Sequence, residues 1–238
     1  MSLNRQGPGK IDWTDWTWNP IAGCLHGCEY CYIDRMQKRF WGSMMPTYRP
    51  GWLRSDLVTM QRLPASKIFI GSSGDMWGDW VPADWIQSVL EVVTRLPQHT
   101  FQFLTKNPRR YSEFNISYPN TWYGTTDDGT TRTEGNISDL VEHAQVPGGG
   151  RFVSFEPLLE EVIPELFGIQ WVIIGADSTP GAARPPDKWA DLIMYEAMMR
   201  GIPVWVKDNY RYPEKMKTAP PASRPSWPDS GFKPFGEK

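Results

Sequence analysis

The chain has 238 residues, 40% of them hydrophobic and 22% charged, the balance of a soluble globular protein with one substantial core. A formal net charge of −2 excludes a global basic field aimed at nucleic acid. No apolar run approaches the ~20 residues of a membrane-spanning helix, and the opening "MSLNRQGPGK" lacks a secretory core, so a cytoplasmic protein without a membrane partner is expected.

Residues 1–10 are expected to be a flexible N-terminus, followed by one domain over 11–212. A short strand near "TWNPIAG" leads into "AGCLHGCEYCY", residues 22–32. "KIFIGSSGD" is a compact apolar run broken at Gly71, a buried strand entering a loop. In "VPADWIQSVLEVVTRL" the residues Trp85, Ile86, Val89, Leu90, Val93 and Leu96 share one helical face, with Pro82 suited to the first turn. "HTFQFLTKNP" and "TWYGTTDDG" read as strands, "ISDLVEHAQ" as a helix, and "RFVSFEP" and "QWVIIGAD" as two more strands. "DKWADLIMYEAMMRG" is a helix stopped by Gly201 as a left-handed cap, and "IPVWVKDN" is the last strand. From residue 213 to 238 the chain turns proline-rich and aperiodic, which predicts an extended tail that Trp227 and Phe232 could pin down.

Strands alternating with helices predict an α/β fold with a mostly parallel sheet and helices outside. About seven strands fall short of the ~250 residues typical of a closed eight-fold barrel. An open, partial barrel fits the length, and a doubly wound sheet is the competing architecture. The strand exits are polar or small: Ser72, Ser73 and Asp75; Thr105 and Lys106; Thr125, Thr126 and Asp127; Glu156; Gly175 and Asp177; Lys207 and Asp208. In parallel α/β proteins those ends share the ligand-binding face. Glu156, set among apolar residues in "VSFEPLL", needs a partner or a role.

All three cysteines, Cys24, Cys28 and Cys31, lie within one loop at C-x3-C-x2-C spacing. An odd count in a reducing compartment points to metal or redox chemistry, not to disulfides. Two ligand sets are open. Three thiolates hold three irons of a cubane cluster and leave one iron without a protein ligand. Alternatively His26 completes a Cys3His zinc site, although one intervening residue after Cys24 is atypical of zinc knuckles. Gly23 and Gly27 permit the tight path either arrangement needs. His99 and His143 sit in no metal-like spacing. The 13 tryptophans are read chiefly as core, with stacking on bases as the functional alternative.

With Tyr30 just before the last cysteine, the motif resembles the signature of the radical S-adenosylmethionine superfamily. "DWTDWTWNPIAGC", "CEYCY", "PQHTFQFLTKNP", "RFVSFEPLL", "WVIIGADS" and "GIPVWVKDN" are similar to successive blocks of a phage-associated three-cysteine family of unknown function, over residues 11 to 210. The resemblance implies a partial (β/α)6-type, TIM-like open barrel with a [4Fe–4S] cluster on Cys24, Cys28 and Cys31. S-adenosylmethionine would chelate the fourth iron, and its reductive cleavage would give a 5′-deoxyadenosyl radical that abstracts a substrate hydrogen. Tyr30 would pack near the adenine. The loop Ser72, Ser73, Gly74 and Asp75 occupies the position that binds the methionine amino group, although it departs from the Gly-Gly-Glu-like pattern. Thr125, Thr126 and Ser154 would hold ribose or carboxylate, and Glu156 a ribose hydroxyl or a substrate donor. Lys106, Asp177, Lys207 and Asp208 are candidates to face the substrate. A flavodoxin or ferredoxin would donate the electron, and a nucleotide or nucleic acid is the substrate class considered. Two other functions stay open at this point: a zinc-stabilised binding module, and an iron–sulfur electron-transfer protein that binds no S-adenosylmethionine.

Overall fold

Apolar runs that are buried on both faces become the strands of one sheet. The computed structural model describes residues 3–7, 9–35, 45–48, 50–146 and 149–219. Its main sheet contains β1 (Leu3–Arg5), β2 (Trp16–Trp18), β5 (Lys67–Ile70), β6 (Thr100–Thr105), β7 (Thr121–Thr126), β8 (Gly150–Phe155), β9 (Trp171–Ile174) and β10 (Val204–Val206), in that spatial order. β1 is antiparallel to β2, and every other neighbouring pair is parallel. The order follows the chain, and β1 and β10 stay at opposite edges, so the architecture is the expected open, partial barrel. A separate small pair, β3 (Ile21–Ala22) and β4 (Thr47–Tyr48), flanks the cysteine loop.

The period-two alternation of the strands separates two cores. Phe101, Phe103, Tyr123, Val153, Val172 and Val204 face the helices α1 (Pro50–Gln61), α2 (Ala83–Thr94), α3 (Asn136–His143) and α4 (Asp187–Met199). Phe69, Trp122, Phe152, Trp171 and Ile173 face the other way and pack with Trp13, filling the barrel interior with aromatic rings. In the outer core Trp77 meets Phe103, Tyr111, Phe114 and Tyr123 edge-on. The hydroxyl of the buried Tyr111 donates to Gly124 O at 2.8 Å. Tyr111→Phe should therefore cost about 1–2 kcal/mol, read as a shift in the urea midpoint at unchanged slope.

Both ends of the described chain are tied to the sheet. Leu3–Arg5 forms an edge strand in which Leu3 is buried, and Gln6 N donates to Asp15 O at 2.8 Å. At the other end the folded body continues past residue 212: Lys217 bridges Trp205, and Thr218 N donates to Val204 O at 3.1 Å. Trp227 and Phe232 lie outside the described residues. The segment before β2 also spans the open side of the barrel. There Asp12 accepts from Trp205 Nε1 at 3.2 Å and from Lys217 Nζ at 2.5 Å, next to the last strand.

Candidate functional site

The C-terminal ends of the parallel strands open on a cavity of about 620 Å³, within the usual range for small-molecule sites. Its wall includes Cys24, Cys28 and Cys31, together with Tyr30, Ser72, Gly74, Asp75, Lys106, Thr126, Ser154, Glu156, Asp177, Lys207 and Asp208. Trp13, Phe69 and Leu104 contribute apolar surface to it. Two sequence candidates lie elsewhere. Thr125 sits on the opposite face of β7, with its hydroxyl donating to Thr105 O at 2.9 Å, and Ser73 is not part of the wall. Strand parity accounts for Thr125: adjacent residues point to opposite faces, so Thr126 lines the cavity and Thr125 cannot.

The cysteine loop is held by the loop that follows β5. Gly23 N donates to Ser73 O at 3.0 Å, and Asp75 N donates to Gly23 O at 3.3 Å. Gly74 makes this approach possible, since a Cβ there would fall 2.4 Å from Gly23 O. Tyr32 hydroxyl donates to Ser72 O at 2.7 Å. Asn19, at the exit of β2, accepts from Ser73 N at 2.8 Å and shares a hydrogen bond with Ser72 Oγ. Ser72 and Ser73 are thus engaged in clamping the loop.

Asp75 is the centre of that clamp. Its Oδ2 faces His26 Nε2 at 2.8 Å and accepts from Thr105 Oγ1 at 2.8 Å and Lys106 N at 3.0 Å, while Oδ1 accepts from Trp77 N at 2.9 Å. Burial by itself would raise the carboxyl; the His26 hydrogen bond and charge, then Lys106 N–H and the Thr105 hydroxyl, hold it below the usual carboxylate range. With these partners, Asp75 positions the loop and has little capacity left for a ligand.

The same geometry bears on the two ligand sets. His26 turns its Nε2 to Asp75 and packs edge-on against Trp80, and it forms no cluster within 4.8 Å with two of the cysteines. In a tetrahedral zinc site with bonds near ~2.3 Å, ligand sulfurs stand about 3.8 Å apart. The three thiols do not converge within 4.8 Å of one another; among the described residues only Asp139, Glu142 and His143 on α3 do, and Arg109 already pairs with Asp139. A loop of three separated thiols around an open cavity suits a multi-iron object better than a single ion. Burial pushes the Cys24 thiol up to about 12, so a metal would have to displace its proton. The Arg132 guanidinium reaches Cys28 and donates to His26 O at 3.3 Å, placing positive charge beside the Cys28 sulfur.

Tyr30 hydroxyl donates to Asp128 at 2.5 Å. Burial first, then that bond, raises the phenol far above its ordinary value, so it remains a donor. Glu156 finds the partner its surroundings demand in Lys207. Gly175 leaves room for that pair, since a Cβ there would lie 2.9 Å from the Glu156 carboxyl carbon. Asp177 Oδ1 accepts from Thr179 N and Oγ1, and the mostly exposed Asp208 pairs with Lys217. Sequence reasoning missed Asn19, Arg132 and Asp128, because each acts through partners far away in sequence. His99 is structural, buried between Ser66 N and Met60 O.

Among the described residues no helix is long and apolar enough to cross a membrane. None of the curated proteins matches the chain. Solved structures of spore photoproduct lyase share the fold. A mutant with dinucleoside spore photoproduct has 10% identity and a TM-score of 0.52 over 82% of this chain and 62% of that one. A second mutant, with bound AdoMet and dinucleoside spore photoproduct, has 9% identity and a TM-score of 0.50 over 82% and 63%. This chain therefore spans less than two thirds of their length, and at such identity the likeness is one of architecture. The model of a family described as "Protein of unknown function (DUF5131)" matches residues 8–224, and the chain belongs to that family.

Proposed function

We propose that this protein is a radical S-adenosylmethionine enzyme that takes a hydrogen atom from a nucleotide or nucleic-acid substrate. Cys24, Cys28 and Cys31 would hold a [4Fe–4S] cluster. The observation that carries the reading is a set of three cysteine thiols on one short loop beside a cavity at the strand ends. When bound, the cluster and S-adenosylmethionine supply a 5′-deoxyadenosyl radical after one-electron reduction.

The chain's own residues bind, orient and exclude water. Tyr30, fixed by Asp128, offers its ring to the adenine side of the cofactor. Thr126, Ser154 and the Glu156–Lys207 pair supply hydrogen-bonding groups for ribose or carboxylate. The Trp13, Phe69 and Leu104 surface keeps that end of the cavity dry, which protects a reactive intermediate from side reactions. A flavodoxin or ferredoxin serves as electron donor in this reading, and the phage association of the sequence resemblance belongs to it too. AdoMet and a dinucleoside, the ligands of the structural neighbours, agree with it by analogy of fold.

Anaerobic reconstitution with iron and sulfide should yield about four irons per chain and a broad visible absorbance. Cys28→Ala should lose most of that iron. One zinc per chain and no iron uptake would defeat the proposal.

A further inference from the structure

Most of the charges around the cavity are matched. His26 faces Asp75, Lys207 faces Glu156, and Lys217 reaches both Asp12 and Asp208. Among the described residues, Lys10 and Lys106 are the lining ammonium groups with no carboxylate in ion-pair contact. Lys10 is exposed, and its Nζ donates to Arg5 O at 3.2 Å. Lys106 is half-buried, with its backbone N–H fixed on Asp75 and its ammonium 5.5 Å from the centre of the Tyr30 ring.

The other carboxylates near the cavity do not answer Lys106. Asp128 is taken by Tyr30, Thr130 and Thr133. Glu156 is committed to Lys207. Asp177 follows β9, three strands from β6, which is about 14 Å away at the ~4.8 Å spacing of neighbouring strands. A partly desolvated ammonium supported only by a ring face is poised for an anion. For the class of substrate proposed above, that anion is phosphate. Trp13 and Phe69, 2% and 6% exposed, form with Leu104 the apolar floor of the cavity.

We infer that Lys106 recognises a phosphate group of the substrate, which is therefore a phosphate-bearing nucleotide unit. The inference rests on the function proposed above. The phosphate is either the monoester of a free nucleotide or a diester within a nucleic acid.

Calorimetric titration of the anaerobically reconstituted protein tests it with three sets of probes: the four deoxynucleosides, their 5′-monophosphates, and dinucleotides joined by one phosphodiester. At least one phosphate-bearing probe should bind roughly tenfold or more tightly than its nucleoside, the size expected of a charge-assisted hydrogen bond. Lys106→Gln should erase that advantage, and Lys106→Arg should keep most of it. A preference for monophosphates assigns the monoester; equal binding of dinucleotides assigns the diester. Nucleosides that bind as tightly as nucleotides, no binding of any probe, or a full advantage retained in Lys106→Gln would each overturn the inference. Formation of 5′-deoxyadenosine with dithionite, assayed on the same wild-type sample, reports separately on the cofactor reading, so the two can fail independently.

Discussion

Asp75→Ala is expected to lower the unfolding free energy by about 3–5 kcal/mol, the cost of leaving several buried donors without their acceptor. The residue is 6% exposed and receives four groups: His26 Nε2, Thr105 Oγ1 and the backbone N–H groups of Trp77 and Lys106. Truncation leaves these groups buried without an acceptor, and water has little access to replace it. For a domain of this size the loss corresponds to a fall in Tm of roughly 10 °C. It also has a pH signature. Folding lowers the Asp75 pKa, so its contribution is complete above the ordinary carboxylate value of about 4 and fades as pH falls toward the lower folded value. The gap between wild type and variant should thus narrow as the pH falls below about 4. A loss below about 1 kcal/mol would mean that the clamp is not built as described.

Gly74→Ala should act on the cysteine loop more than on the core. The added Cβ would lie 2.4 Å from Gly23 O and 2.7 Å from Gly23 N, and both are backbone atoms of the loop that carries Cys24. Backbone cannot swing aside as a side-chain end can, so the two loops must separate. Overpacking of this kind costs about 1–3 kcal/mol. The larger effect is on metal: displaced thiols should retain less than about half of the wild-type iron after reconstitution. Gly51→Ala provides the control, because nothing lies within 4 Å of a Cβ at that position on α1. Wild-type iron content in Gly74→Ala would show that the loops are not held together at this point.

The parallel strands were legible because burial on both faces makes them short, nearly continuous apolar runs, as in "KIFI" and "WVII". Helices α2 and α4 also follow from the pattern, and Gly201, at a φ of 65°, is the left-handed residue expected after α4. Helix α1 was not legible. It opens on Pro50-Gly51, and its buried residues are Met60 and Asp56, whose carboxylate accepts the Trp18 indole N–H at 3.0 Å. A buried aspartate breaks the apolar stripe that marks a helix in sequence. The cysteines and most strand-end polar residues could be read directly, and applying strand parity to "GTT" would have removed Thr125. The clamp could not be read: Asp75 looks like an ordinary loop carboxylate until the fold brings it to His26, 49 positions earlier in the chain.

The most direct measurement of the central claim is the product formed when the anaerobically reconstituted, iron-loaded protein is given dithionite and S-adenosylmethionine. The account predicts 5′-deoxyadenosine and methionine, formed in step and abolished by Cys24→Ala, Cys28→Ala or Cys31→Ala. A fully loaded cluster that leaves S-adenosylmethionine intact would contradict it.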